Sequence, residues 1–319
     1  MTAAGESACA PDSLTRVVLK VDVDTKVGLL DGVRRLADLL ADMKLKASFY
    51  ITMGPDHSGR ALKRVFRPGF LGKQLKSGAA SAYGPLTMLY GLLLPGPIIA
   101  ASAPRLLNRL INEGHEVGLH GWDHVFWHDR MRYLSGQRIR HELGQAHNLF
   151  REITGLAPAS FASPGWQVNA EALTALMELG ITHVSCGRGA YPFRPLVKGR
   201  ALPIIELPTT MPTMDEALSL PGVTPYNVGS WLAGQVKPGA LNVFTMHGEV
   251  EGRAHLPAFR EFLLALLGQG VEFPRLLDAA LAAARGPLPS EEIVWADIPH
   301  RAYQVAMQAS QVPPVEPAR

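Results

Sequence analysis

Cysteine is almost missing from this chain of 319 residues, which carries only Cys9 and Cys186. Two thiols so far apart give neither a disulfide framework nor a cysteine-based zinc knuckle, and their scarcity fits a reducing compartment. No run of 18 or more apolar residues occurs, so no membrane-spanning helix is expected. The first fifteen residues contain Glu6 and Asp12 and no apolar core, which argues against a secretory signal. A net charge of +3 is too small to argue for nucleic acid as a partner. The sharpest absence is local. No Asp or Glu occurs from His57 to Asn112, a stretch that carries Arg60, Lys63, Arg64, Arg67, Lys73 and Lys76.

Against these gaps two short stretches stand out. The first is His120-Gly121-Trp122-Asp123-His124, which follows the apolar run Val117-Gly118-Leu119. If that run is a strand, both imidazoles can bend back onto one ion, because neutral imidazole suits zinc-like metals. Among 11 histidines, a His-x-x-x-His pair taken alone is more often two surface or capped residues. The second stretch is Val17-Val18-Leu19-Lys20-Val21-Asp22-Val23-Asp24. The period of two puts Asp22 and Asp24 on one face of a strand. Carboxylates so placed repel unless a cation lies between them or one takes a proton, and a site needing both a ligand and a base uses that tension. Without such a site they are two solvated acids at a strand end.

Strands and helices then alternate. Asp31 opens a helical stripe with Val33, Leu36, Leu39, Leu40 and Met43, and residues 47–52 return as a strand. Helices over 104–113, 135–153 and 169–179 lead to strands at 116–119, 159–162 and 181–185. Further strands are expected at 203–207 and 241–246, with helices near 226–235 and 258–267. About seven such units predict an α/β fold, a single (β/α)7 barrel over residues 16–286 with parallel strands and right-handed crossovers. Chemistry in such barrels gathers at the carboxyl ends of the strands. Asp22, Asp24, His120, His124 and His247 all fall there. Residues 1–15 read as a flexible leader and 287–319 as a C-terminal extension, with a disordered tail from Gln308 through Pro313, Pro314 and Pro317.

One connection is too long. Residues 54–103, after the second strand, form an insertion whose first half is basic and whose second half is apolar and tyrosine-bearing, with Leu89, Tyr90, Leu92, Leu93 and Leu94. That order suits a surface meeting anionic headgroups and dipping into acyl chains. The plainer reading is a cap packed on the barrel.

Taken together, these motifs resemble the polysaccharide deacetylase (NodB homology) superfamily of metal-dependent amide hydrolases. Asp22-Val23-Asp24 resembles its first motif, implying Asp22 as general base and Asp24 as a metal ligand. The pentapeptide resembles the second, implying His120 and His124 as further ligands to a divalent ion such as zinc, cobalt, manganese or nickel. Phe161-Ala162-Ser163-Pro164-Gly165-Trp166 stands in the place of the third motif but lacks the arginine most members carry, which leaves open how Asp22 is oriented. A backbone N–H near Gly165 is the expected oxyanion contact. Phe244-Thr245-Met246-His247-Gly248 resembles the last motif, implying His247 as general acid. Asp215 either orients that ring or caps the helix beginning near Glu216.

A denser resemblance, over about residues 17–283, is to the deformylases of polyprenyl-phosphate-linked formamidosugars. It rests on stretches such as Ser77-Gly78-Ala79-Ala80-Ser81-Ala82-Tyr83-Gly84, Pro192-Phe193-Arg194-Pro195 and Pro212-Thr213-Met214-Asp215-Glu216. It implies an undecaprenyl-phosphate-linked formamidosugar as substrate and a peripheral place on the anionic cytoplasmic face of a bacterial inner membrane. The pathway implied is lipid A modification and polymyxin resistance, with Arg60, Arg64, Arg67, Tyr83 and Arg194 touching substrate. Absence of the third-motif arginine fits this group. The rival readings are a deacetylase of other N-acylated aminosugars, against which the acid-free insertion speaks, and a catalytically silent polyprenyl-phosphate-sugar binding protein.

Overall fold

In the computed structural model, residues 14–61, 87–299 and 301–312 are described. The first strand, β1 (Arg16–Val23), is buried along almost its whole length. Val17, Leu19, Val21 and Val23 join Leu36, Leu40, Phe259 and Phe262 in the core between sheet and helices. Val18 alternates to the other face and packs with Tyr50, Val243 and Leu276 inside the barrel. Parallel strands are covered on both faces, so apolar runs rather than simple alternation are expected of them. The polar residues that break the run, Lys20 and Asp22, share the inward face with Val18 and are buried.

Six more strands complete the sheet: β2 (Ser48–Ile51), β3 (Glu116–Leu119), β4 (Ser160–Ala162), β5 (His183–Ser185), β8 (Ile205–Glu206) and β9 (Leu241–His247). Their order is β8-β5-β4-β3-β2-β1-β9, with all neighbours parallel. The expected barrel is therefore present but open between β8 and β9. The chain just after β8 bridges this seam, where the N–H groups of Thr210 and Met211 donate to the Val243 carbonyl at 3.1 and 3.3 Å. A side hairpin of β6 (Arg194–Val197) and β7 (Arg200–Ala201) pairs with β10 (Ser290–Glu291).

The opposite end of the barrel is closed by polar contacts. Ser48, Glu116, Ser160 and His183 are each the first residue of their strand. The Glu116 carboxylate accepts from Ser48 Oγ, Ser160 Oγ, Tyr50 Oη, His183 Nε2 and the Leu277 N–H, at 2.6 to 3.3 Å. Burial would raise its pKa, but His183 and the serines hold it below the usual carboxylate value. The helix Leu276–Ala283 plugs this end with Leu276, Ala279 and Ala280.

Two expectations need correcting. The stripe beginning at Asp31 starts earlier, as a wide turn over Gly28–Val33 that runs into the helix Arg34–Asp42. The second is the tail. Gln308 ends a strand, β12 (Val305–Gln308), paired antiparallel with β11 (Ile293–Ala296), and its amide accepts from the Ala190 N–H at 2.9 Å. Composition pointed to disorder there, but these side-chain and ladder hydrogen bonds satisfy the backbone. Pro313, Pro314 and Pro317 lie outside the described residues.

One buried histidine ties stability to pH. His115 Nδ1 accepts from the Ala47 N–H at 3.1 Å, and burial, with Lys46 nearby, pushes its pKa down to about 4. The unfolded chain takes up this proton near 6.5, so the contribution is whole above that pH and is lost as pH falls towards 4. Between pH 7 and 5 this amounts to roughly 2 kcal/mol. Urea midpoints of His115→Gln should therefore fall less than those of the unsubstituted protein over that interval; equal falls would acquit His115.

Candidate active site

At the carboxyl ends of β1, β3 and β9 a cavity of about 150 Å³ is lined by Asp22, Asp24, His120, His124, His128, Gly165, Trp166, Asp215, His247, Val250, Arg301 and Tyr303. His120 directly follows β3, and Gly121, at φ +81°, turns the chain so that His124 can begin the helix His124–Arg130. Asp123 caps that helix, accepting from the Phe126 N–H at 3.0 Å, and so is spent on structure. The two imidazoles end up face to face, with centroids 5.4 Å apart.

Asp24, His120 and His124 form a group whose ligand atoms lie within 4.8 Å of one another. His120 Nε2 is 3.3 Å from Asp24 Oδ1, and His124 Nε2 is 3.4 Å from Asp24 Oδ2. His120 Nδ1 must donate to the Ala162 carbonyl, 2.9 Å away, because a carbonyl can only accept. This fixes the ring with Nε2 towards Asp24, as second-shell partners of metal-bound histidines do. Asp24 Oδ1 and Asp22 Oδ1 are buried and accept no hydrogen bond. One carboxylate and two oriented imidazoles, open on the cavity side, fit a catalytic divalent-metal site of three protein ligands. Burial would raise the Asp24 pKa, but His124, His120 and His247 hold it far below the usual carboxylate range.

Asp22 is oriented from within its own strand. Lys20 Nζ lies 3.0 Å from Asp22 Oδ2, with the lysine side chain wholly buried. The ammonium also donates to Thr245 Oγ1 at 3.4 Å; that hydroxyl is 2.6 Å from Thr209 Oγ1, which accepts from Trp166 Nε1 at 3.0 Å. Lys20 thus stands where the missing arginine left a question. Across the sheet Asp22 is in register with His247, and the Gly248 N–H donates to the Asp22 carbonyl.

Two buried glutamates brace this pair of strands. Glu249 Oε1 accepts from the N–H groups of Asp24 and Thr25 and from Thr25 Oγ1, at 3.1, 2.8 and 2.6 Å. Burial, with Asp24 nearby, pushes its pKa up to about 8. Glu251 Oε2 accepts from the His247 N–H at 2.7 Å, and burial pushes its pKa up to about 7. Close approach makes this possible: a Cβ on Gly28 would sit 1.9 Å from Glu249 Oε1, and one on Gly32 would sit 1.8 Å from the Gly248 carbonyl oxygen. Burial would lower the pKa of His247, but the charges of Asp24, Asp215, Glu251 and Asp22 raise it.

Of the residues expected to touch substrate, the two that are described, Arg60 and Arg194, do not line this cavity. Arg60 Nε donates to the Gly91 carbonyl at 3.1 Å and its guanidinium lies 3.9 Å from Asp123, outside the lining. Arg194 sits on β6, donating to the Pro203 carbonyl at 2.7 Å, and does not line the cavity. Arg64, Arg67 and Tyr83 lie outside the described residues. Asp215 does line it, half-buried; it accepts from Thr213 Oγ1 at 2.6 Å and lies 3.4 Å from Arg301 Nη2. The helix cap beside it is Thr213, not Asp215. Sequence reasoning passed over Lys20, His128, Arg301 and Tyr303. The period that selected Asp22 and Asp24 also selects Lys20, and His128 continues the four-residue spacing of His120 and His124.

The profile for polysaccharide deacetylases matches residues 15–184. The chain belongs to the polysaccharide deacetylase family. As a member, it is a hydrolase that acts on an amide bond. Over 94% of its length it is 32% identical to a probable 4-deoxy-4-formamido-L-arabinose-phosphoundecaprenol deformylase of Shewanella sediminis, of which 97% is covered. A protein of the same description from Wigglesworthia glossinidia brevipalpis is 30% identical over 77% of this chain and 86% of that one. In fold, the chain is similar to the crystal structure of a Mycobacterium smegmatis protein assigned to the polysaccharide deacetylases. The TM-score is 0.64, with 93% of this chain and 99% of that one covered at 18% identity.

Gly165 carries the tightest constraint on the cavity wall. Its φ is +59°, and a Cβ there would lie 2.2 Å from Cδ2 of His128, whose ring is held edge-on by Tyr303 at 4.4 Å. Gly165→Ala should cost at least about 2 kcal/mol through left-handed strain and overpacking. Adding His128→Ala should return part of the loss in a thermal melt, and a double variant no more stable than Gly165→Ala would show that the ring is not the obstacle.

Proposed function

We propose that this chain is a metal-dependent deformylase that removes the formyl group from 4-deoxy-4-formamido-L-arabinose carried on undecaprenyl phosphate. The support that weighs most is the 32% identity to a deformylase of that description, which runs through the insertion and the C-terminal segment and not just the metal motifs. Asp24, His120 and His124 would hold the ion. When bound, a divalent ion supplies Lewis-acid polarisation of the amide carbonyl and acidifies water. Asp22, held by Lys20, accepts the proton of the attacking water as general base. The main chain at Gly165, which lines the cavity, would offer its N–H to the developing oxyanion. His247, its pKa raised by the neighbouring carboxylates, gives its proton to the leaving nitrogen as general acid, with Asp215 as its orienting partner. The C–N bond breaks, and formate and a free amine leave.

The test is mass spectrometry of the lipid-linked formamidosugar after incubation with metal-loaded protein, read as loss of the formyl group. Asp24→Ala, His120→Ala and His124→Ala should each lose bound metal and turnover together, since a three-ligand site has no spare arm. Asp22→Asn should keep its metal and lose rate by about 10²- to 10⁴-fold. Metal lost from Asp22→Asn would make Asp22 a ligand, and removal of acetyl but not formyl groups would favour the deacetylase reading.

We further propose peripheral docking on the anionic cytoplasmic face of a bacterial inner membrane, in the service of lipid A modification and polymyxin resistance. Among the described residues no helix is long and apolar enough to cross a membrane. Support comes from the turn at Gly91, where Leu89, Leu92, Leu93 and Leu94 are all exposed, Leu93 at 80%. Arg60 is bonded to that same turn, so a basic and an apolar surface meet there. Each basic residue near an anionic surface contributes about 1 kcal/mol. Replacing Arg60, Arg64 and Arg67 with Gln should therefore release the protein from anionic vesicles at moderate salt and raise KM for the lipid-linked substrate. Retention on the vesicles with an unchanged KM would leave the insertion as a cap on the barrel.

A further inference from the structure

The C-terminal segment reaches the catalytic cavity with a charged side chain. Arg301 lies in the connection between β11 and β12, more than fifty positions after His247, yet both line the same cavity. It is held on three sides. Nε donates to Glu216 Oε1 at 2.7 Å, Nη2 donates to Thr213 Oγ1 at 3.1 Å and approaches Asp215 Oδ2 at 3.4 Å, and the guanidinium rests 4.7 Å from the centroid of Trp166. Burial would lower its pKa, but Asp215, Tyr303 and Glu216 raise it, so the charge is permanent. These contacts use Nε and Nη2. Among the described residues nothing accepts from Nη1, and its two N–H donors remain on a side chain only 13% exposed.

Two considerations narrow what those donors meet. The first is charge. Arg188, whose Nη1 donates to both Glu216 oxygens at 3.1 Å, and Arg301 together balance Asp215 and Glu216. A guanidinium already neutralised by carboxylates is a poor sink for a phosphate but a good, pre-oriented donor to a neutral oxygen. The second is reach. A cavity of about 150 Å³ admits little more than the reacting end of a sugar. Arg301 is bound to Asp215, the proposed partner of the acid that meets the leaving nitrogen, so the substrate atom in range is one bond further along the ring.

We infer that Arg301 is a substrate-binding residue, donating from Nη1 to the sugar hydroxyl on the carbon next to the amide-bearing carbon. This rests on the proposed reading of the substrate as an N-acylated aminosugar. It gives the C-terminal segment a task that the barrel alone cannot perform. On a side chain only 13% exposed, a donor matched to a hydroxyl disfavours the analogue that lacks it, because the donor then has only water to meet.

The test compares two N-formyl aminosugars, one bearing that hydroxyl and one deoxygenated there, with metal-loaded full-length protein. The unsubstituted enzyme should prefer the hydroxylated sugar by about 10- to 100-fold in kcat/KM. Arg301→Gln is expected to slow both reactions, since Asp215 loses a partner, but the preference itself should fall to near one. Arg301→Lys, which keeps the charge and folds more readily, should retain part of it; if the Gln variant does not fold, a drop of several-fold in the Lys variant carries the result. A preference that stays intact in the variants would overturn the inference and leave Arg301 as a strut for Asp215. A preference absent from the unsubstituted enzyme would overturn it too. Binding of the two deformylated amines by calorimetry gives the same comparison without turnover. Failure of the deformylase reading shows separately, as N-acetyl but not N-formyl sugars being hydrolysed, and the ratio is then read on the acetyl pair.

Discussion

Everything at this site depends on keeping charge inside a barrel. Asp22 and Asp24 end a buried strand two positions apart, and their repulsion in a low-dielectric interior would be severe without compensation. The structure meets it in two different ways. Lys20, one inward position earlier on the same strand, neutralises Asp22 from below at 3.0 Å. Two imidazoles converge on Asp24 from the side, leaving a gap suited to a divalent ion. The two carboxylates therefore have distinct environments, one fixed by a lysine and one shared with histidines. Divergent environments are what allow neighbouring acids to take the different tasks of base and ligand.

That arrangement requires β1 and β9 to be locked together at their carboxyl ends, and glycine makes the lock possible. Gly28 lets the wide turn after β1 lie on the Glu249 side chain, and Gly32 lets it lie on the Gly248 backbone. Glu249 can then hold the N–H groups of Asp24 and Thr25, while Glu251 holds the N–H of His247. The wide turn, which helical periodicity did not anticipate, exists because ordinary helical side chains would collide with that backbone. The local geometry here is the consequence of a tertiary contact that ties the chain beside Asp24 to the chain beside His247.

How much of this was legible depends on the reach of each signal. The barrel, its parallel order and the metal triad came from apolar runs, period-two alternation and short motifs, all of which are local. Lys20 obeys the same local rule as Asp22; expectation looked for an arginine in the third motif and so did not look inside the strand. The open seam between β8 and β9 is decided by a hydrogen-bonded bridge at Val243, which no periodicity encodes. Arg301 and Tyr303 were invisible because composition made the C-terminal segment look dispensable. Its order comes from pairing with itself and from Gln308 and Glu291 reaching back to the barrel, contacts that span a hundred positions or more. Arg194 is the reverse case: its motif lies on a side hairpin and does not line the cavity.

The division of labour follows from this. The stretch matched by the family profile, residues 15–184, carries Asp22, Asp24, His120, His124 and Gly165, to which the proposed reading gives the carbonyl and the water. His247, Asp215 and Arg301 come after it and line the same cavity, and in the proposed reading they serve the leaving nitrogen and its sugar. Trp166 joins the halves, with Lys20, Arg188 and Arg301 all within 6 Å of its ring centroid and its indole N–H tied to Thr209. Three cations around one indole are stable only where each also has a carboxylate, as Lys20 has Asp22 and the arginines have Glu216 and Asp215. In the proposed reading the metal ligands and the base thus sit in the first half of the barrel, and the acid and the sugar contact in the second half and the segment beyond it.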